Sequence, residues 1–300
     1  MRFRQYRCCV DVLALDPLAP APRGTWSGPG VRVRRRLGPH REHGTPGAIC
    51  APRFCTHRRG TFLTVEHDLT PDELCDELAV MLAEQLIDSG ALRGQAEFEL
   101  VFTGIVRSTV TGGLRSWLRF YQNSLDKLES GTTAFAPIHA HAADLVRGSR
   151  LVDLGSCFGF FPLRMAHRQL DVIATDLSRP TMELLTKASF ELCRPLQTLC
   201  CDAAEVPLPA RSADTVTVLH LLEHLSPTAA NDVAAEALRL AGRRVVIAVP
   251  FEEEPRACYG HIQRFDLAAL HRMAGRLCAE HPGVSAGVHE FHGGWLILDR

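Results

Sequence analysis

The 300 residues are 46% apolar and 22% charged, which suits a globular chain of one large or two smaller domains and excludes wholesale disorder, collagen and a small cystine scaffold. The formal charge of -1 averages two unlike pieces: residues 1–60 hold 12 Arg against three acids, so the other 240 carry -10. The 11 Cys are scattered, with adjacent pairs at Cys8–Cys9 and Cys200–Cys201 and no framework spacing, which points to reduced thiols.

Asp11 and Asp16 break the apolar core that a signal peptide needs, and no 18 apolar residues run uncharged; the expectation is a cytoplasmic chain with no membrane span. Residues 1–60, with seven Pro, seven Gly and the run VRVRRR at 31–36, read as a disordered basic tail, or as sequence ahead of a later start. His40, His43, Cys50, Cys55 and His57 offer no zinc pair of the usual spacing.

Residues 61–148 read as a mainly helical cap. Thr70-Pro71-Asp72-Glu73 is a capping box with Pro at the first helical position, followed by the apolar stripe Leu74, Leu78, Met81, Leu82 and Leu86. FELVFTGIVRSTV, 98–110, is rich in aromatic and β-branched residues and reads as extended. Leu114, Trp117, Leu118, Tyr121, Leu125 and Leu128 mark an amphipathic helix, and a third begins at Pro137. Trp117 and Tyr121 can stack on a sugar ring or fill a core, and core packing is the cheaper account. His139 and His141 are further substrate-side candidates in this region.

From residue 149 short apolar runs alternate with helical segments: LVDL (151–154), DVIAT (171–175), TLC (198–200), TVTVL (215–219) and VVIAV (245–249). Strands 20–30 residues apart need crossover helices, and hence a parallel sheet covered on both faces. Ser226-Pro227 opens a helix that Gly242 closes, Asp266 caps another, and strand candidates near 286–291 and 294–298 finish the chain. Seven strands with a hairpin-like end make an α/β doubly wound sheet.

VDLGSCFG, 152–159, runs from strand through a glycine turn into a helix near Phe160, where backbone amides suit an anionic group. A nicotinamide fingerprint places its first Gly directly after the strand; here Asp153 precedes Gly155 by two and Gly159 follows by four. The acid points to a cofactor bearing an amine. Asp176 ends the second strand, where a carboxylate can accept both ribose hydroxyls, and Asp202 follows the third, within reach of an adenine amino group.

In order and spacing, Asp153-x-Gly155-x-x-x-Gly159, Asp176, Asp202 and Glu223-His224-Leu225 resemble the class I S-adenosylmethionine-dependent methyltransferases across about 150–300. The resemblance implies a Rossmann-like seven-stranded domain over 149–300 and S-adenosyl-L-methionine as cofactor. It places Asp153 near the methionyl amine, Gly155, Cys157 and Gly159 in the loop passing the cofactor, Asp176 on the ribose and Asp202 on the adenine. The family usually has Gly where Cys157 stands, and a Cβ there narrows the approach of backbone to cofactor.

The acceptor must be aligned and, for a hydroxyl, relieved of a proton. Strand four leads into His220-Leu221-Leu222-Glu223-His224, in which a helical turn would put His220, Glu223 and His224 on one face; His261 follows strand five. Three readings stand together: a divalent metal held by some of His220, Glu223, His224 and His261; a metal-free general base at His224 or His261; or a Glu-His pair that only shapes the cofactor pocket. The set resembles the E-x-x-E-H plus distant His of metal-dependent small-RNA 2'-O-methyltransferases, with His220 in place of Glu, which shifts metal preference from Mg2+ towards Mn2+ or Zn2+.

FELVFTGIVRSTVTGGLRSWLRFYQNSL, FAPIHAHAADLVRG, VLHLLEHL and FHGGWLILDR resemble, across about 60–300, the methyltransferases associated with the mycofactocin oligosaccharide. That likeness implies 2-O-methylation of a glucose. At -10, residues 61–300 disfavour a nucleic acid and suit a neutral glycan or glycosylated cofactor. Methylation of another small molecule, and a cofactor-binding regulatory module without turnover, are the alternatives; oligomeric state is open.

Overall fold

In the computed structural model, which describes residues 16–36 and 47–300, the chain divides into two compact units. The first takes the residues up to Lys127 together with Ala257–Gly260, and the second Leu128–Arg256 with His261–Arg300.

The first unit opens with a five-stranded sheet built from β1 (Thr25–Gly28), β2 (Val31–Arg35), β3 (Ala48–Cys50), β4 (Phe54–Arg59) and β5 (Phe62–His67), ordered β1-β2-β5-β4-β3. The expectation of a disordered stretch over 1–60 is therefore corrected for 25–28, 31–35, 48–50 and 54–59; residues 1–15 and 37–46 lie outside the described ones. The reason is local. Val31 and Val33 are buried while Arg32 and Arg34 are exposed, a period of two inside what reads as a charge run. Glycines turn the strands at Gly30 (φ +68°) and Gly60 (φ +59°), where a left-handed backbone is required. Two of the arginines are partnered by acids: both guanidinium ends of Arg58 meet the Glu97 carboxylate at 2.7 and 2.8 Å, and Arg53 reaches Asp68 at 2.7 Å and Glu73 at 2.5 Å. Hydrogen bonding from Arg53 holds the Glu73 carboxyl down at about 2.

Cys50 and Cys55 sit opposite one another in the β3–β4 ladder and form a disulfide with Cα atoms 4.1 Å apart, which corrects the reduced-thiol expectation for this pair. The capping box forms as read, with Thr70 N donating to Glu73 Oε2 at 2.8 Å. It opens only a 3-10 turn, Pro71–Glu73, before α1 (Leu78–Leu82) and a π-helical turn, Ala83–Ile87.

Residues 98–110 are not extended: α2 spans Gly94–Thr109. Its β-branched residues Val101, Ile105 and Val106 are fully buried, so tertiary packing overrides their strand preference. Gly104 sets the closeness of that packing, since a Cβ there would lie 2.3 Å from Val33 and 2.8 Å from Trp26. Trp117 and Tyr121, on α3 (Gly113–Ser130), are 2% and 0% exposed, and Trp117 Nε1 donates to the Pro17 carbonyl at 2.9 Å. They are core residues, as the cheaper account expects.

The second unit carries a seven-stranded sheet: β6 (Arg150–Leu154), β7 (Asp171–Asp176), β8 (Gln197–Cys200), β9 (Ala213–Leu219), β10 (Ala241–Val249), β11 (Ser285–Glu290) and β12 (Gly294–Asp299), in spatial order β11-β12-β10-β9-β6-β7-β8. β8, β7, β6, β9 and β10 pair in parallel, while β12 lies antiparallel between β10 and β11. This is the expected doubly wound α/β sheet with a hairpin finish. Strand order reverses between β6 and β9, which makes the carboxyl ends of β6 and β9 the place for a ligand.

Both faces are covered. α7 (Pro227–Leu240) and α8 (Leu267–Glu280) bury Val233, Ala237, Leu270 and Leu277 against one face; α4 (Ala136–Leu145) and α5 (Phe160–His167) bury Ile138, Ala142, Phe161 and Met165 against the other. Thus α4, read with the helical cap, packs in the second unit. Ser226 and Asp266 cap α7 and α8 through their side chains as predicted. Gly242 does not close α7: the helix ends at Leu240 and the glycine lies in β10, beside the register shift between Ala241 and Arg244. No helix among the described residues is long and apolar enough to cross a membrane.

Candidate active site

The loop after β6 is a run of left-handed residues: Gly155 (φ +70°), Cys157 (φ +49°) and Gly159 (φ +72°). A Cβ on Gly155 would stand 2.7 Å from Leu221, and one on Gly159 2.5 Å from Leu185, so both positions need glycine twice over, for backbone and for space. Cys157 holds the same left-handed backbone with a side chain, which strains it. Gly159 is also the N-cap of α5.

Two carboxylates hold this loop. Asp153 is buried at 4% exposure and accepts from Thr217 Oγ1 at 2.5 Å and Ser156 Oγ at 2.7 Å. Burial pushes its carboxyl up to about 6; the two hydroxyl donors oppose the shift and nearby Asp176 adds to it. Asp176 Oδ2 accepts from Cys157 N at 2.9 Å and Oδ1 from Ser178 N at 2.8 Å. Burial raises its pKa too, against three backbone donors and the neighbouring His224. The sequence places both acids at strand ends, and the structure adds that Asp176 tethers the glycine loop.

Asp202 stands apart: it is exposed, and its Oδ1 accepts from Ala204 N at 2.9 Å as a turn acid.

At the carboxyl end of β9 the chain turns through His220 in a left-handed conformation (φ +53°), its N–H donating to Ala248 O at 2.9 Å. A 3-10 turn, Leu222–His224, follows. The turn excludes His220, so the expectation that helical spacing puts His220, Glu223 and His224 on one face is corrected. What gathers instead is Glu223, His224 and His261, whose ligand-capable atoms all lie within 4.8 Å of one another. His220 approaches from the side, with Nδ1 3.3 Å from Glu223 Oε1 and its ring 5.8 Å from that of Phe135.

His261 arrives because the loop after β10 is stitched to the turn. Ile262 N and Gln263 N donate to the Glu223 carbonyl at 2.9 and 3.2 Å, and Gln263 Nε2 donates to the Leu222 carbonyl at 2.7 Å. The His224 and His261 rings lie edge to face, 4.8 Å between centroids. His261 Nδ1 is bonded to Glu252 Oε2 at 2.8 Å. Glu223 is 1% exposed and neither of its carboxylate oxygens has a hydrogen-bond partner. Leu221, packed against Gly155, sets this cluster beside the glycine loop.

Of the other histidines, His139 is buried edge-on against Phe161, and burial, with the charges of Arg164 and His220 added, drives its pKa down to about 3; it is neutral. His141 pairs with His289 at 2.8 Å beside Trp295. Thr217 and Ser156, which donate to Asp153, and Glu252, bonded to His261, are partners of the candidate residues that sequence reasoning misses. Each becomes visible only when another strand or loop is folded against it.

Residues 152–247 match the family model described as "Methyltransferase domain". No curated protein matches the chain. Among solved structures, the chain is similar to magnesium protoporphyrin IX methyltransferase from Synechocystis PCC 6803 with bound SAM, at 18% identity over 62% of this chain and 83% of that one, TM-score 0.42. It is also similar to an O-methyltransferase family protein from Burkholderia thailandensis, at 15% identity over 62% of each chain, TM-score 0.45. A third likeness is to a phosphoethanolamine N-methyltransferase from Haemonchus contortus, at 15% identity over 62% of this chain and 48% of that one, TM-score 0.45. The glycine loop and the two strand-end carboxylates lie inside the segment that matches a methyltransferase domain.

Proposed function

We propose that the protein methylates a sugar hydroxyl, and that its acceptor is the 2-hydroxyl of a glucose in the oligosaccharide of mycofactocin, in the cytoplasm. The observation that carries the acceptor side is the cluster of Glu223, His224 and His261 at the end of β9. S-adenosylmethionine brings an electrophilic methyl that needs no activation from the protein. The residues of this chain then have two tasks, to hold the donor and to take a proton from the acceptor. In this reading Asp153 faces the ammonium of the methionyl group, Asp176 the ribose hydroxyls and Asp202 the adenine amino group.

On the acceptor side the imidazoles of His224 and His261 flank a buried carboxylate, the group types that can orient a hydroxyl and handle its proton. A neutral sugar suits residues 61–300 at -10, whereas a polyanion would be repelled. The narrower acceptor rests on the resemblance of the segments at 98–125, 135–148, 218–225 and 291–300. Incubation of the protein with glucans and with the glycosylated cofactor, using labelled donor, tests the reading by mass spectrometry. One added methyl mass mapped to a ring 2-oxygen supports it; transfer to a nitrogen or to a non-sugar acceptor, with glycans untouched, overturns it.

A further inference from the structure

We propose that Glu223, His224 and His261 form a binding site for a divalent cation of borderline softness, of the Zn2+ or Mn2+ kind, with Glu252 as the residue that orients His261. The inference deepens the acceptor-side reading above and rests on it only for the cation's purpose; whether the cation binds can be measured with no methyl transfer at all.

Three independent features meet here. The first is Glu223: a carboxylate at 1% exposure whose two oxygens both lack a hydrogen-bond partner. A buried anion is retained at such a cost only where something compensates it. Among the described residues His220 stands 3.3 Å away but not in hydrogen-bond geometry, so its imidazole does not satisfy the carboxylate. The second is the donor set, one carboxylate oxygen and two imidazoles within 4.8 Å. Ligands on one ion at about 2.1 Å stand roughly 3–3.4 Å apart, so small ring rotations close the set. Two imidazoles with one carboxylate match transition-metal sites with open positions better than Mg2+ or Ca2+ sites, which are built from oxygen.

The third feature is the outer shell. His261 Nδ1 is engaged by Glu252 Oε2 at 2.8 Å, which fixes the tautomer so that Nε2 carries a lone pair. A carboxylate behind a ligating histidine is the usual support of a metal site. The loop that presents His261 is also pinned to the backbone of the turn that presents Glu223 and His224, by the bonds from Ile262 and Gln263. The frame is thus built ahead of any ligand. Among the described residues three protein donors converge, one fewer than a closed tetrahedral site needs, and an acceptor hydroxyl in a remaining position would have its pKa lowered by such a cation.

The test uses the full chain stripped with a chelator and titrated with Zn2+, Mn2+, Co2+ and Mg2+, followed by calorimetry, the visible spectrum of Co2+ and thermal unfolding. We expect one equivalent of Zn2+, Mn2+ or Co2+ to bind at micromolar or tighter affinity, at least 100-fold tighter than Mg2+, and to raise the unfolding temperature. Glu223→Gln should weaken binding at least 100-fold while unfolding no lower than the stripped wild type, because it removes the uncompensated anion. Glu252→Gln should weaken binding 10–100-fold. S-adenosylmethionine affinity serves as the folding control for each variant. The proposal is overturned if no cation saturates the folded wild type below about 100 μM, or if Glu223→Gln and His261→Ala, each still binding S-adenosylmethionine, keep wild-type metal affinity. Metal binding without sugar methylation would sustain this site and sink the acceptor assignment; sugar methylation without metal binding would do the reverse.

Discussion

Asp153→Asn should make the cofactor-free protein more stable at pH 8 and about half as much more stable at pH 5. Burial holds the Asp153 carboxyl at about 6 in the folded chain, against about 3.9 unfolded. The folded state therefore binds more protons than the unfolded one between roughly pH 4 and 6, and stability falls as pH rises through that window. Two pK units correspond to about 3 kcal/mol at most, the cost of keeping this carboxylate ionised at 4% exposure. Asparagine removes that cost, but its NH2 can displace one of the bonds now given by Thr217 and Ser156. A gain of about 1–3 kcal/mol at pH 8 is expected, falling to about half of that at pH 5 and towards zero only below about pH 4. Urea unfolding of wild type and variant at both pH values, with fluorescence and circular dichroism read together, measures it. The same substitution should weaken S-adenosylmethionine at least tenfold, because a neutral amide cannot balance an ammonium. A stability difference independent of pH would show that Asp153 is not the titrating group, and the argument from its burial would fail.

Asp176→Asn replaces a carboxylate that accepts from Cys157 N and Ser178 N; with one charged acceptor lost, cofactor affinity by calorimetry should drop about 10–100-fold, in line with roughly 1.5–3 kcal/mol for a charged hydrogen bond. Gly159→Ala imposes φ +72° on a residue with a Cβ and drives that Cβ to 2.5 Å from buried Leu185; a loss of about 2–4 kcal/mol is expected in chemical denaturation. Trp117→Phe removes the bond from Nε1 to the Pro17 carbonyl and should cost about 1–2 kcal/mol while leaving acceptor KM unchanged. A raised KM with intact stability would return Trp117 to the substrate side.

What the sequence disclosed follows the range of its signals. Strand-sized apolar runs at crossover spacing foretell a parallel sheet because each run must be buried on both faces, and the five parallel strands lie where those runs do. Asp153, Asp176 and the two glycines were legible for a related reason: ligands collect at strand ends, and strand ends can be counted along the chain. The N-terminal sheet was hidden because its evidence is only three to six residues long at each strand. In VRVRRR the alternation of Val31 and Val33 with arginine is a strand pattern, but charge dominates its composition, and the acids that partner Arg53 and Arg58 lie 15 to 39 residues further on. Helix α2 was hidden for the opposite reason: burial of Val101, Ile105 and Val106 outweighs a local preference for strand. The acceptor-side cluster lies between these cases. Residue types at 220–224 announce chemistry, yet the spacing suggests a helical grouping that the left-handed turn at His220 forbids. The partner that completes the set is His261, 38 residues after Glu223 and brought there by two backbone bonds to the Glu223 carbonyl. A constellation assembled by loop-to-loop hydrogen bonds leaves no period in the sequence, so residue types could offer His261 as one of four candidates, and only the fold groups it with Glu223 and His224 and sets His220 to the side.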